Sequence, residues 1–129
     1  GKQPKWLRYG GAAEYAKYCY GTPNGVYVVV EDVISAVTVA TVFPDVTGFA
    51  LLGTSLTDAH KECLSDSASY VMVALDPDAL RKTLVMRKEI EAWCDIPSRA
   101  IRLRDDIKYQ DAEDMDFIGR WIDVAEKSH

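Results

Sequence analysis

Two nearly unbroken apolar runs stop abruptly at acidic residues. Residues 26–30 are followed directly by Glu31, and residues 70–75 are followed by Asp76 and Asp78. Strands that are buried on both faces of a parallel sheet have such continuous apolar sequences, whereas half-exposed strands alternate between apolar and polar residues. The pattern therefore predicts two central strands with carboxylates at their C-terminal ends.

Two further segments are predicted to complete the sheet. Residues 49–52 form a short apolar run, which is typical of another buried strand. Residues 99–104 alternate Ile101 and Leu103 with arginines. This alternation indicates a strand with one open face, either at the edge of the sheet or incompletely covered.

Helical spacing of apolar residues predicts that helices connect these strands. The predicted helices cover residues 32–42, the segment with Cys63 and Leu64, residues 79–94 and residues 111–125. Ser55 or Thr57 would cap the second of them. The apolar positions of the first, third and fourth helices are Val33, Ile34, Val37 and Ala40, then Leu80, Leu84, Val85, Ile90 and Trp93, and finally Met115, Ile118, Trp121 and Ile122.

The order of these elements predicts the fold class. Before the first strand, residues 15–20 are expected to form a short helix that ends at Gly21. After it, strands and helices alternate with short connections, which predicts an α/β fold. Its sheet has roughly four parallel strands flanked by helices, as in the Rossmann class, and its crossovers are right-handed.

Composition indicates one soluble domain. The 129 residues are 48% hydrophobic and 27% charged, and no segment is long and apolar enough to span a membrane. The chain begins with Gly1 and shows no signal-peptide pattern, so we expect a portion of a larger cytoplasmic protein.

The cysteines and the histidine at position 60 give no metal-binding pattern. Cys19, Cys63 and Cys94 are far apart in sequence and lack C-x-x-C spacing, which argues against a zinc site or a disulfide framework. We expect reduced, mostly buried thiols, and any metal should have oxygen ligands. His60 is interpreted as a surface or packing residue rather than a ligand.

The net charge of −5 argues against nucleic-acid binding, but the basic residues are clustered. The clusters are Lys2, Lys5, Arg8 and Lys17, then Arg81, Lys82, Arg87 and Lys88, and finally Arg99, Arg102 and Arg104. A basic rim around an acidic centre and an ordinary solvated surface of mixed charge are both compatible with this pattern. Tyrosines interleave with the first cluster, where they could stack on bases or pack on the domain.

Acidic residues that follow neighbouring parallel strands meet at one edge of a sheet, where ligands bind. If the two central strands are neighbours, Glu31, Asp76 and Asp78 converge there. Three carboxylates at such short distances from one another stay ionised only if a cation lies among them. Mg²⁺ prefers oxygen ligands and usually binds through one or two carboxylates, with water or phosphate at its other positions. The pattern therefore predicts a magnesium site suited to phosphoryl or nucleotidyl transfer.

Four motifs follow the four predicted strands in order. They are Glu31, Gly53-Thr54-Ser55-Leu56-Thr57, Asp76-Pro77-Asp78 and Asp105-Asp106. This series resembles the toprim domain of bacterial replicative and phage DNA primases. Residues 4–7, Pro-Lys-Trp-Leu, are similar to the P-K-Y-L motif that precedes toprim in those primases. The resemblance implies a basic and aromatic segment over residues 1–24 and a toprim domain over residues 25–129.

The resemblance implies a DNA-replication enzyme that makes primers by nucleotidyl transfer. Its partners would be nucleoside triphosphates, a single-stranded DNA template and a replicative helicase. Glu31 would act as general acid or base. The implied ligands of Mg²⁺ or Mn²⁺ are Glu31, Asp76, Asp78 and Asp106, with Asp105 or Asp111 as alternatives to the last. The basic residues expected to contact nucleotide or template are Lys5, Lys17 and Lys82.

The sequence departs from the family pattern at two motifs. The usual E-G-x-x-D-A has become E-D-x-x-S-A, with Asp32 and Ser35 at the changed positions, and D-x-D-x-A-G-R has lost its glycine. The E-D-x-x-S-A form resembles small phage-encoded primase-like proteins, which implies a phage or phage-derived source.

Two alternatives to a primase stay open. One is a toprim nuclease or strand-cleaving enzyme, and the other is a non-catalytic module that binds nucleic acid or protein.

Overall fold

The computed structural model describes residues 16–21, 25–111, 113 and 115–127. Within these ranges the strands are β1 (Cys19–Tyr20), β2 (Val26–Val30), β3 (Thr47–Ala50), β4 (Tyr70–Val73) and β5 (Ser98–Ala100). The α-helices are α1 (Val33–Val42), α2 (Asp58–Ser67), α3 (Leu80–Cys94) and α4 (Asp116–Lys127). Two short 3₁₀ helices, Pro77–Ala79 and Ile107–Tyr109, precede α3 and α4.

The strands form one mixed sheet in the order β1-β3-β2-β4-β5. Strands β3, β2, β4 and β5 are parallel, and β1 is antiparallel to β3. The predicted α/β class is therefore confirmed, but the sheet has an additional antiparallel strand. The predicted short helix is present at residues 16–18, but its predicted end at Gly21 was wrong, because β1 begins at Cys19. Pairing with Phe49 and Gly48 gives the backbone of β1 hydrogen-bond partners that a helix would otherwise supply.

The central strands are buried, as their apolar runs predicted. Every residue of β2 is buried, with Val28 on one side of the sheet and Tyr27 on the other. Helices α1 and α4 cover the first side, and α2 and α3 cover the second. The backbone of α1 lies directly against Gly48 of β3, where a Cβ atom would overlap with the carbonyl oxygen of Ala36.

Helix α1 occurs where the sequence predicted it, but it buries a different face. Its buried residues are Ser35, Ala36 and Val39. The predicted core positions Val33, Ile34 and Val37 are exposed, with Ile34 exposed to 64%. Because α1 is apolar around most of its circumference, the helical period did not select one face. The small side chain of Ala36 allows the closest approach to the sheet, and this contact decides the orientation.

Helix α3 shows the same kind of difference. Its buried residues are Thr83, Met86 and Ile90, of which only Ile90 was predicted. The predicted core residues Leu84, Val85 and Trp93 are exposed. Thr83 can be buried because its hydroxyl group donates a hydrogen bond of 3.1 Å to the carbonyl oxygen of Ala79.

Strand β5 is an edge strand, as the alternation of residues 99–104 predicted, but it is shorter. Its pairing with β4 ends where the Ile101 amide donates to the carbonyl oxygen of Val73. Ile101 and Leu103 are both buried, and the arginines that follow each of them are exposed. The alternation therefore continues beyond the hydrogen-bonded strand.

Helix α4 begins at Asp116 rather than near residue 111, because the second 3₁₀ helix and a turn come first. Its predicted core residues Met115, Ile118 and Ile122 are buried. Trp121 is 37% exposed instead, and the guanidinium carbon of Arg99 lies 3.6 Å from its ring centroid.

The three cysteines are free, with Cys63 buried and the other two half-buried. The sulfur atoms of Cys19 and Cys63 are 4.0 Å apart. Their hydrogen bond, together with burial, raises the pKa of the Cys19 thiol, which therefore stays protonated. Among the described residues, no helix combines the length and apolar character that a membrane span requires.

Candidate functional site

The parallel pairing of β2 and β4 brings Glu31 and Asp76 together. Val29 of β2 pairs with Val73 of β4, so the two strands end at the same C-terminal edge of the sheet. There the backbone amide of Asp76 donates a hydrogen bond of 3.3 Å to Oε2 of Glu31. The predicted convergence of the two acidic stretches is therefore present for this pair.

The loop after β3 borders Glu31 on the other side. The backbone carbonyl oxygen of Glu31 accepts hydrogen bonds from the amides of Leu52, at 2.9 Å, and Gly53, at 3.3 Å. Leu52 adopts a φ of 60°, which turns the chain away from the strand. The half-buried Glu31 thus lies between the loops that follow β3 and β4.

Asp76 has a strongly perturbed carboxyl group. Its burial, its hydrogen bond with Glu31 and the negative charges of Glu31 and Asp32 raise its pKa to about 7, and the charge of Lys108 opposes this shift. The crowded carboxylates therefore retain a proton near neutral pH unless a cation compensates them.

Asp32 and Ser35, the two residues that depart from the E-G-x-x-D-A pattern, both take part in the first turn of α1. Oδ1 of Asp32 accepts a hydrogen bond of 2.7 Å from the Ser35 amide and so caps α1. Oδ2 of Asp32 lies 3.9 Å from Nζ of Lys108. Ser35 lies in the first turn of α1, on the buried face of the helix.

Asp78 and Asp106 lie at the rim of the same edge. Asp78 is exposed on the first 3₁₀ helix, and Asp106 directly precedes the second one. Burial raises the pKa of Asp106, the charges of Asp76, Asp105 and Asp78 add to the increase, and Lys108 opposes it. Because the charges of Asp76 and Asp78 raise the pKa of Asp106, Asp106 belongs to the same electrostatic cluster.

The alternatives to Asp106 are less favourably placed. Oδ1 of Asp105 accepts a hydrogen bond of 2.8 Å from the Asp106 amide, so this carboxylate turns back toward its own loop. Asp111 is exposed, and its carbonyl oxygen accepts a hydrogen bond from the Met115 amide. Asp106 has an electrostatic link to Asp76.

The donor set fits an open metal site better than a closed cage. Among the described residues, no three His, Cys, Asp or Glu side chains are grouped closely enough to enclose a metal ion. Mg²⁺ often uses only one or two protein carboxylates and keeps water or phosphate at its other positions. The close pair of Glu31 and Asp76 fits that mode, and Asp78 and Asp106 supply further negative charge nearby.

The three predicted basic residues have different locations. Nζ of Lys82, in the first turn of α3, donates a hydrogen bond of 3.1 Å to Oγ1 of Thr54 in the loop after β3. This contact joins the start of α3 to the loop after β3, beside a cavity of about 400 Å³. Lys17 is exposed and precedes β1 near the C-terminal end of β3. Lys5 and the Pro-Lys-Trp-Leu motif lie outside the described residues.

His60 is a packing residue, as the sequence indicated. Its Nδ1 accepts a hydrogen bond of 2.9 Å from the Thr57 amide, while the Thr57 hydroxyl oxygen accepts one from the His60 amide. This reciprocal capping box starts α2 and confirms Thr57 as its cap. The imidazole is buried beside Tyr18, with ring centroids 4.5 Å apart.

Sequence reasoning missed Lys108 and Tyr109, which follow the acidic pair at residues 105–106. Lys108 is a cation at the acidic edge, and Tyr109 is an exposed aromatic residue next to it. The available signal was a lysine and a tyrosine close after the acidic pair Asp105-Asp106.

Comparisons with protein-family models, curated proteins and solved structures found no match to this chain. The case for its function therefore depends on the motifs and on the geometry of the acidic edge.

Proposed function

We propose that the chain is the toprim catalytic core of a DNA primase-like nucleotidyl transferase, in which Glu31 and Asp76 bind Mg²⁺ or Mn²⁺. The observation that carries the proposal is the close approach of these two acids beyond the parallel strands β2 and β4. Ligands of open α/β sheets bind at this edge. The proposed substrates are nucleoside triphosphates and a single-stranded DNA template, and a replicative helicase is the proposed partner.

Each acidic side chain has a proposed role in the reaction. Glu31 and Asp76 would hold a divalent ion, which would neutralise the charge that develops on the α-phosphate of the nucleotide as a hydroxyl group attacks and pyrophosphate leaves. Glu31 accepts the proton of the attacking hydroxyl group. Asp76 binds the ion as a carboxylate, and Asp78 and Asp106 are the proposed further ligands. Lys108 places a positive charge beside the acids, where it attracts a phosphate group.

A specific observation favours a second candidate, a non-catalytic module with the same fold. The described residues contain no three-ligand metal group, and Ser35 has no carboxylate at the position where the usual motif has its second acid. Such a module would bind nucleic acid or protein without turnover. A toprim nuclease would differ from the primase-like enzyme mainly in using water as its nucleophile.

One set of assays separates these candidates. The chain is incubated with Mg²⁺ or Mn²⁺, labelled single-stranded DNA and nucleoside triphosphates, and its products are resolved by size. Synthesis of new primers supports nucleotidyl transfer, shortening of the labelled DNA supports a nuclease, and an unchanged substrate supports the module.

Glu31→Gln tests the assigned catalytic role because it keeps the shape of the side chain but removes its charge. The loss of a general acid or base should lower the rate of primer synthesis by ~10²–10⁴-fold. Asp45→Asn is the matched control, since Asp45 is exposed in the turn between α1 and β3, at the opposite edge of the sheet. Equal rates for Glu31→Gln and the wild type would contradict the role of Glu31.

A further inference from the structure

The second 3₁₀ helix is firmly anchored beside the acidic edge. Ile107 is 0% exposed and belongs to the core that α1 covers. The amides of Tyr109 and Gln110 donate to the carbonyl oxygens of Asp106 and Ile107, at 3.0 and 2.9 Å. The side-chain amide of Gln110 also donates to the carbonyl oxygen of Asp105, at 2.6 Å. Buried packing and these hydrogen bonds attach the turn to the domain.

Lys108 extends from this turn toward the acids. Its Nζ atom lies 3.9 Å from Oδ2 of Asp32, and its side chain is 29% exposed. Its charge also acts on Asp76 and Asp106, as their pKa values indicate. The ammonium group therefore lies within the acidic edge but remains accessible to an anionic ligand.

Tyr109 extends from the same turn into solvent. Its side chain is 69% exposed, although tyrosine normally buries its apolar ring. The Nζ atom of Lys108 lies 5.4 Å from the ring centroid, so the aromatic face and the cation are adjacent. Trp93 is equally exposed and also has a neighbouring cation, since the ammonium group of Lys61 lies 4.4 Å from its ring centroid. Trp93 lies on α3 and is therefore useful as a comparison for Tyr109.

We infer that Lys108 and Tyr109 form a nucleotide-binding clamp, in which Tyr109 stacks on the base and Lys108 contacts the phosphates. The ligand class is a nucleoside triphosphate, because it combines a planar aromatic base with a polyanion. The inference rests on the proposed function for the acidic edge, and it adds the residues that recognise the nucleotide. Aromatic stacking accepts every base, so the clamp binds nucleotides without strong base preference.

Two probes separate base recognition from phosphate recognition. ATP contains both groups, whereas inorganic tripolyphosphate contains only the polyanion. Binding of each probe to the chain is measured by titration calorimetry in the presence of Mg²⁺. We expect Tyr109→Ala to weaken ATP binding by about 5- to 160-fold, the range for loss of a stacked base, and to leave tripolyphosphate binding unchanged.

Three further variants complete the design. Tyr109→Phe keeps the aromatic face and should bind ATP within about 2-fold of the wild type. Lys108→Met removes the charge and should weaken both probes. Trp93→Ala is the matched control, because it removes an equally exposed aromatic residue at the far end of α3. Tyr109 is exposed, so thermal melts of its variants should match the wild type.

The outcomes distinguish this inference from the proposed function. If wild-type protein binds ATP and Tyr109→Ala binds it equally well, the clamp is wrong while the acidic site stands. Equal loss of ATP binding in Tyr109→Ala and Trp93→Ala would also overturn the clamp. If neither ATP nor tripolyphosphate binds to wild-type protein with Mg²⁺ or Mn²⁺, the proposed function fails, and the inference fails with it.

Discussion

The carboxyl group of Asp76 connects the folding of this chain to its proposed chemistry. Burial and the neighbouring acids raise its pKa to about 7. Below this pH the folded chain therefore favours the protonated form of Asp76. The same crowding that disfavours two charges in the metal-free protein favours a divalent cation. Stability and metal binding are therefore expected to depend on the same pair of residues, Glu31 and Asp76.

The first prediction concerns pH. An unfolded aspartate has a pKa of about 3.9, so between about pH 4 and pH 7 the folded chain binds more protons than the unfolded chain. The free energy of unfolding of metal-free protein should therefore fall as pH rises through this window. The side chain of the Asp76→Asn variant cannot ionise, so its free energy of unfolding should depend less on pH. At pH 8 this variant should be more stable than the wild type. Urea denaturation with a chelator at pH 5 and pH 8 measures both effects. Identical pH dependence in the wild type and Asp76→Asn would contradict the assigned crowding.

Some residue roles could be read from the sequence, and others could not. The positions of Glu31 and Asp76 were predictable because an apolar run that ends in an acid marks a buried strand end. Lys108 and Tyr109 were not, since their placement depends on Ile107 entering the core and fixing a 3₁₀ turn. The exposure of Tyr109 is a property of that turn, and no periodicity in the sequence encodes it.

At the scale of elements, the contact between α1 and β3 determines how the helix is oriented. Gly48 lets the helix backbone approach the strand, and the Ala36 carbonyl group occupies the space that a side chain would need. The capping of α1 by Asp32 then fixes where the helix begins, directly after Glu31. Close packing here therefore positions the start of α1 beside the acidic edge.

The second prediction tests this contact. Gly48→Ala introduces a Cβ atom that overlaps with the backbone of Ala36, which a rotamer change cannot relieve. We expect a loss of about 1–3 kcal/mol in the free energy of unfolding, the usual range for overpacking, or more if the backbone cannot shift. Gly53→Ala is the control, because a Cβ there has no heavy atom within 4 Å. Urea denaturation of both variants gives the comparison, and equal stabilities would show that α1 does not need this close approach.

The elements also show where sequence patterns fail. The strands β2 and β4 were predictable because continuous apolar runs have one interpretation at that length. The buried faces of α1 and α3 were not, since Ile34 and Val85 are apolar but exposed, whereas Thr83 is polar but buried with its own hydrogen bond. Strand β1 contains only two residues, too few for any period, and it depends on an available edge of β3.

At the scale of the molecule, the parallel order of β3, β2, β4 and β5 collects the acidic strand ends at one edge. The loops after β3 and β4 both contact Glu31, and Lys82 of α3 contacts Thr54 in the first of these loops. The turn after β5 adds Asp106 and Lys108. The architecture thus concentrates charge of both signs where ligands of open α/β sheets bind.

The central claim is that Glu31 and Asp76 hold a divalent cation, and metal-dependent thermal unfolding at pH 8 tests it most directly. A cation that binds only the folded state raises the melting temperature by mass action. The account predicts that millimolar Mg²⁺ or Mn²⁺ raises the melting temperature of wild-type protein and of Asp45→Asn. It predicts no increase for the double variant Glu31→Gln with Asp76→Asn, which should remain folded because its carboxylate repulsion is gone. An equal increase in the double variant, or no increase in the wild type, would contradict the account.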